Sequence, residues 1–145
     1  TPWKASLSAS AIFNNNIIIS GDYELIDYSS SSMYSDSYSF SDENETIANL
    51  YQISNNIKLG TEINVKPFVL RAGYSKYGSA FANKDFGKEN FSYGIGINNG
   101  GYFLDVAYVL SQGTNKHLLY SEEYIEPINL VKTNHSLLFT LGFRY

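Results

Sequence analysis

The apolar residues of this chain recur every second position, and a period of 2 is the signature of a β-strand with two unlike faces. Residues 3–13 read Trp-Lys-Ala-Ser-Leu-Ser-Ala-Ser-Ala-Ile-Phe, with every odd position apolar and Lys4, Ser6, Ser8 and Ser10 on even ones. Phe91, Tyr93, Ile95 and Ile97 alternate with Ser92, Gly94, Gly96 and Asn98. Leu137, Phe139, Leu141, Phe143 and Tyr145 alternate with Ser136, Leu138, Thr140, Gly142 and Arg144. A helix would scatter these residues around its circumference. Weaker alternations over 17–28, 48–64, 67–77 and 101–111 bring the expected strands to seven. Most come near the roughly 9–11 residues that a tilted membrane-crossing strand needs.

The connections obey a second rule. Asn14-Asn15-Asn16, Val65-Lys66-Pro67 and Asn98-Asn99-Gly100 hold turn-forming residues, whereas 29–47, 78–89 and 112–133 are long and polar. Short and long connections therefore alternate strictly. In an up-and-down barrel this places all turns at one rim and all loops at the other, as outer-membrane barrels do. The expected fold is all-β, an antiparallel up-and-down transmembrane β-barrel.

Composition excludes several alternatives. Aromatic residues make up 16% of the 145 residues and charged ones only 17%, a balance unlike that of disordered chains. With Cys 0 there is no disulfide framework and no thiolate metal site. A net charge of −4 leaves no general attraction to nucleic acid, so no nucleic-acid partner is expected. No apolar run approaches the ~18 residues of a membrane helix. Mean hydropathy is −0.21, which for a β-barrel is uninformative because only half of each strand is apolar.

The polar sides of the strands carry Lys4, Asp22, Glu24, Lys58, Glu62, Arg71, Asp105 and Arg144, with much Gly and Ser. The opposite sides are dominated by Leu, Ile, Phe and Tyr, with Trp3, Phe13, Tyr77, Phe91, Tyr102, Phe143 and Tyr145 near strand ends as an interfacial girdle. The expectation is an inverted protein, apolar face outward and charges lining a lumen as a paired network. A soluble sandwich would instead turn the apolar face inward.

Other candidate chemistry has little support. His117, placed in a loop, and His135, at the start of the last strand, have no partner at metal-ligand spacing. Asp42, Glu43 and Glu45 lack the calcium-loop pattern. Gly94-Ile-Gly-Ile-Asn-Asn-Gly misses the dinucleotide-binding spacing and opens no helix. No nucleophile elbow occurs in the serine-rich stretch from Ser29. Neither an enzymatic activity nor a cofactor is expected. The 112–133 loop, with Leu118, Leu119, Tyr120, Tyr124, Ile125 and Ile128, reads either as a lid or as a surface for a hydrophobic ligand or partner protein.

The start Thr1-Pro-Trp-Lys-Ala-Ser, the segment Asp22-Tyr-Glu-Leu-Ile-Asp-Tyr-Ser, Phe68-Val-Leu-Arg-Ala-Gly-Tyr, Tyr102-Phe-Leu-Asp-Val-Ala-Tyr and the closing Leu-Gly-Phe-Arg-Tyr appear in this order. Together they resemble the FadL/TodX family of outer-membrane transport barrels, closest in style to its Bacteroidetes branch. The resemblance implies that residues 1–145 form the C-terminal part of one barrel domain, seven of fourteen strands, in the bacterial outer membrane. It implies passive uptake of hydrophobic compounds such as long-chain fatty acids, with outer-membrane lipid and lipopolysaccharide as surroundings. The terminal aromatic pattern, Phe143 and Tyr145, resembles the signal read by the barrel-assembly machinery. Some relatives act instead as non-transporting barrels in secretion or surface complexes, which makes a structural or docking subunit with a partner surface protein the alternative.

Overall fold

In the computed structural model of the chain, Asn14 and Asn15 adopt φ of 48° and 55°, and the Asn16 amide donates to the Phe13 carbonyl at 3.0 Å. Left-handed backbone at both central positions is what a tight hairpin of type I′ sense requires, and Asn tolerates it. That turn joins β1 (Trp3–Phe13) to β2 (Ile17–Asp27). Lys66-Pro67 joins β3 (Ile53–Val65) to β4 (Phe68–Tyr77), and Asn99-Gly100-Gly101 joins β5 (Lys88–Asn98) to β6 (Tyr102–His117). The last strand is β7 (Ile128–Phe143). The structure describes residues 1–82, 86–117 and 128–143, with backbone alone at 115–117 and 128–129.

The seven strands form one antiparallel sheet in chain order, β1-β2-β3-β4-β5-β6-β7. All three tight turns sit at one rim. At the other rim lie a 3-10 turn (Tyr28–Ser30), a helix α1 (Ser41–Leu50) and the 78–82 segment. Tyr51 bridges Phe81, the Gln52 amide donates to the Ala80 carbonyl at 2.9 Å, and the Ala82 amide donates to the Leu50 carbonyl at 2.9 Å. The two loop-side connections are thereby stitched together.

Several boundaries differ from the sequence-based expectation, each for a physical reason. Helix α1 begins inside the expected 29–47 connection and runs past it to Leu50, started by Asp42 and Glu43 where carboxylates favour a helix N-terminus; the strand expected from 48 therefore begins at Ile53. The 78–89 and 112–133 connections are shorter than expected. The ladder pairs Lys88 with Gly113 and runs on to His117 opposite Ile128, because backbone pairing continues where apolar alternation has faded. His117 accordingly lies in β6 rather than in a loop, and His135 lies within β7 rather than at its start. Most of the apolar residues noted in 112–133, Leu118 to Ile125, lie outside the described residues.

Register divides the sheet into two faces. One carries Ser6 opposite Glu24, Asp22 opposite Lys58, Glu62 opposite Arg71, Gly73 opposite Ser92 and Gly96 opposite Asp105. The other carries Leu7 opposite Tyr23, Ile63 opposite Leu70, Leu70 opposite Ile95 and Leu104 opposite Leu141. The sheltered face is the polar one. Along β3, Ser54 and Asn56 are buried while Ile53, Ile57 and Leu59 are exposed. Val69 is the single buried hydrophobic residue among those described, and it belongs to the polar face. In the middle of the sheet the polar side chains are sheltered and the oily ones bare, whereas the edge strands β1 and β7 are largely exposed on both faces.

Candidate functional site: the polar face

The register brings Lys4, Asp22, Glu24, Lys58, Glu62, Arg71 and Asp105 onto the same face. Arg144 and Tyr145 lie outside the described residues. Phe143 sits on the apolar face opposite Tyr102. Tyr77 departs from the expected girdle. Paired with Asn56 and Lys88, it belongs to the polar face, where Lys58 Nζ lies 5.9 Å from its ring centroid. One residue of offset along a strand reverses the face.

Two ionic clusters form, built differently. The first joins neighbouring strands. Lys4 on β1 pairs with Glu24 Oε2 on β2, and Asn56 Nδ2 on β3 donates to Glu24 Oε1 at 2.8 Å. Behind it, Ser54 Oγ donates to the Gly78 carbonyl at 3.0 Å and the Gly78 amide to Asn56 Oδ1 at 3.2 Å, tying this cluster to the loop-side rim.

The second skips a strand. Arg71 on β4 donates from Nε to Glu62 Oε2 on β3 at 2.7 Å and from Nη1 to Asp105 Oδ1 on β6 at 2.6 Å. Strands lie about 4.8 Å apart, so the arginine reaches roughly twice that distance, over β5. It passes between Gly94 and Gly96. A methyl at Gly96 would overlap the Asp105 carboxylate, whereas at Gly94 it would meet its neighbours at ordinary contact distance, the nearest at 3.5 Å. The bridge thus depends on Gly96 lacking a side chain.

Beside the bridge runs a strip of minimal side chains, Ser10 opposite Ser20, Ser20 opposite Gly60, Gly60 opposite Gly73 and Gly73 opposite Ser92. It opens a cavity of about 420 Å³ bounded by Ile18, Glu62, Arg71, Asp105 and Ala107. The face is not uniformly polar. Ile12 and Ile18 are exposed on it at one end, and Leu138 at the other.

Lys88 and Lys132 also belong to this face, flanking Gly113 on β6, and sequence reasoning left both in loops. The available signal was that β5 must start early enough to pair with Tyr77. Among the described residues no three His, Cys, Asp or Glu side chains are grouped to hold a metal, and no helix is long and apolar enough to cross a membrane, which leaves strand crossing open.

The apolar face has its own order. Its oily positions run from Phe68 to Tyr74 on β4 and from Tyr102 to Leu110 on β6, roughly 20–27 Å along the strands at about 3.4 Å per residue. Phe13, Phe68, Tyr102 and Phe143 mark the turn-side border. Toward the loop side, Tyr23 donates to Asn55 Oδ1 at 2.6 Å, and the Tyr108 hydroxyl lies 2.6 Å from His135 Nδ1. Beyond them Lys76 pairs with Glu89 at 3.3 Å. No family model, curated protein or solved structure matches the chain.

Proposed function

We propose that the chain forms part of the wall of an outer-membrane β-barrel that passively admits hydrophobic compounds, long-chain fatty acids being the class implied by the family resemblance. The observation that carries this reading is the bare apolar face. Leaving one large apolar side chain in water forgoes about 1.5–3 kcal/mol, so a handful already equals the ~5–15 kcal/mol of an ordinary domain's stability. Leu59 is 54% exposed, Tyr93 59%, Leu137 59% and Phe139 69%, and such residues recur on every strand. Acyl chains cover that face at no such cost. Its aromatic borders and the ion pair beyond them match a bilayer's hydrocarbon slab and headgroup edge, about 25 Å apart in this class.

Parity supports a larger barrel. β1 and β7 run in the same direction, both from the loop side to the turn side, so these seven strands cannot close by antiparallel pairing. An odd number of further strands restores an even total, and seven more give the fourteen that the resemblance implies. Under this arrangement the polar face lines the interior. Its apolar patches at Ile12–Ile18 and Leu138 flank the charged bridge, which suits molecules with an oily body. Movement through such a path is diffusion and needs no cofactor or covalent step.

The alternative, a docking subunit of a surface complex, draws on the structured loop-side rim, where Tyr34 is 87% exposed. One experiment separates the two. The full-length protein is expressed in a Gram-negative host lacking its own long-chain fatty-acid uptake, and growth on oleate is measured. Restored growth supports transport; protein correctly inserted without growth contradicts it and favours docking.

A further inference from the structure

We infer that β6 and β7 carry a lane for a long-chain carboxylate on the polar face, with Lys88 and Lys132 holding the head group and Val109, Ala107, Leu138 and Phe103 lying along the chain. The inference rests on the barrel reading above and says where on this wall such a solute lies. Lys88 and Lys132 flank Gly113, so the two lysines rise from strands about 10 Å apart with no side chain between them. Both are exposed, and no described carboxylate pairs with either. A carboxylate arriving from the loop side therefore meets two cations at once.

Toward the turn side the same face of β6 and β7 becomes oily. One row, Ser111 opposite Asn134, intervenes, and a lysine's four-carbon stem is long enough to cover it. Val109 then stands opposite Ser136, Ala107 opposite Leu138, and Phe103 opposite Gly142. Val109, Ala107 and Phe103 are half-buried, and Leu138 is 51% exposed. A Cβ at Gly142 would run into the Phe103 ring, so the ring lies across that glycine and closes the lane beside a hollow of about 150 Å³ bounded by Val69 and Asn98. Asp105, the one carboxylate in this stretch, is drawn sideways to Arg71. Val109 to Phe103 is about 20 Å at 3.4 Å per residue, the scale of an extended long-chain acyl group. The other apolar patch of the face, Ile12 opposite Ile18, is shorter, and the charge up its strand is Asp22, which repels a carboxylate.

The test uses the full-length protein in detergent micelles and palmitic acid carrying a diazirine on its terminal carbon. Photolabelled residues are mapped by mass spectrometry with and without excess oleate. Labelling that oleate competes away is expected around Phe103 and Leu138. Lys88→Gln combined with Lys132→Gln is expected to reduce it roughly threefold or more, as the loss of two exposed ion pairs does. Labelling by the diazirine alcohol of the same length, which has no charged head, is expected to stay unchanged. A fall shared by both probes, labelling that the lysine changes leave intact, or competed labelling confined elsewhere overturns the lane. Absence of competed labelling overturns it as well. In each of these cases restored growth on oleate shows that the transport reading survives, and inserted protein without growth shows that it falls too.

Discussion

Phe139 and Thr140 are neighbours in β7, yet they belong to surfaces with nothing in common. Phe139 faces Val106 on a side where large apolar residues lie bare and the side-chain bonds among described residues, such as Tyr23 to Asn55 and Lys76 to Glu89, lie toward the loop side. Thr140 faces Asp105 on a side knit by Arg71, Glu62, Glu24 and Asn56. In a water-soluble sheet the bonded polar face would be the solvated one and the oily face would pack. Here the polar side is sheltered in the middle of the sheet and the oily side is open on every strand, an inversion that the proposed lipid surroundings would account for.

The largest effect that breaks this contrast is an arginine on the wrong face. Phe139→Arg is expected to cost about 2–4 kcal/mol of unfolding free energy in lipid vesicles, as a cation at mid-bilayer does, and Thr140→Arg far less. Denaturant titrations of the two variants make the comparison; equal losses would mean that the faces do not see different media.

Next come the two ionic clusters. Arg71→Ala leaves two partly exposed carboxylates, Glu62 and Asp105, without their shared cation and is expected to cost about 1–2 kcal/mol. Lys4→Ala removes one half-exposed partner of Glu24, which keeps its bond from Asn56, and should cost under ~1 kcal/mol. Equal destabilisation by the same titration would deny that the strand-skipping bridge is the more consequential one. The finest comparison lies within β5. Gly96→Ala should cost about 1 kcal/mol and weaken the Arg71–Asp105 contact, while Gly94→Ala is close to neutral. Chemical shifts of the Arg71 Nε and Asp105 carboxyl would register the first change and not the second.

The face of Lys4, Asp22, Glu24, Lys58, Glu62, Arg71 and Asp105 was legible in the sequence because alternation alone assigns it, with no more than a count of two. What Arg71 binds was not legible. Asp105 is 34 positions away and is reached only because register sets Gly94 and Gly96 beneath the arginine, a long-range fact that no local pattern carries. The helix at Ser41–Leu50 escaped for another reason. Its N-cap, Phe40, makes no side-chain capping bond, so the usual start signal is missing. Lys88 and Lys132 escaped because polar residues extend a ladder without any alternation to announce it. Tyr77 was misplaced by reading aromatic character in preference to position.

The central claim is that the apolar face meets lipid and the polar face an aqueous interior. These 145 residues contain no cysteine, so a single Cys substitution among them adds the one thiol they carry. Spin labels placed in turn at Leu59, Ile95 and Phe139, and at Lys58, Ser92 and Thr140, in full-length protein reconstituted in vesicles, can be probed for collision with oxygen and with a water-soluble nickel chelate. The account predicts oxygen access without chelate access at the first three positions, and the reverse at the second three. Labels at Leu59, Ile95 and Phe139 shielded from both reagents, or open to the chelate, would contradict it.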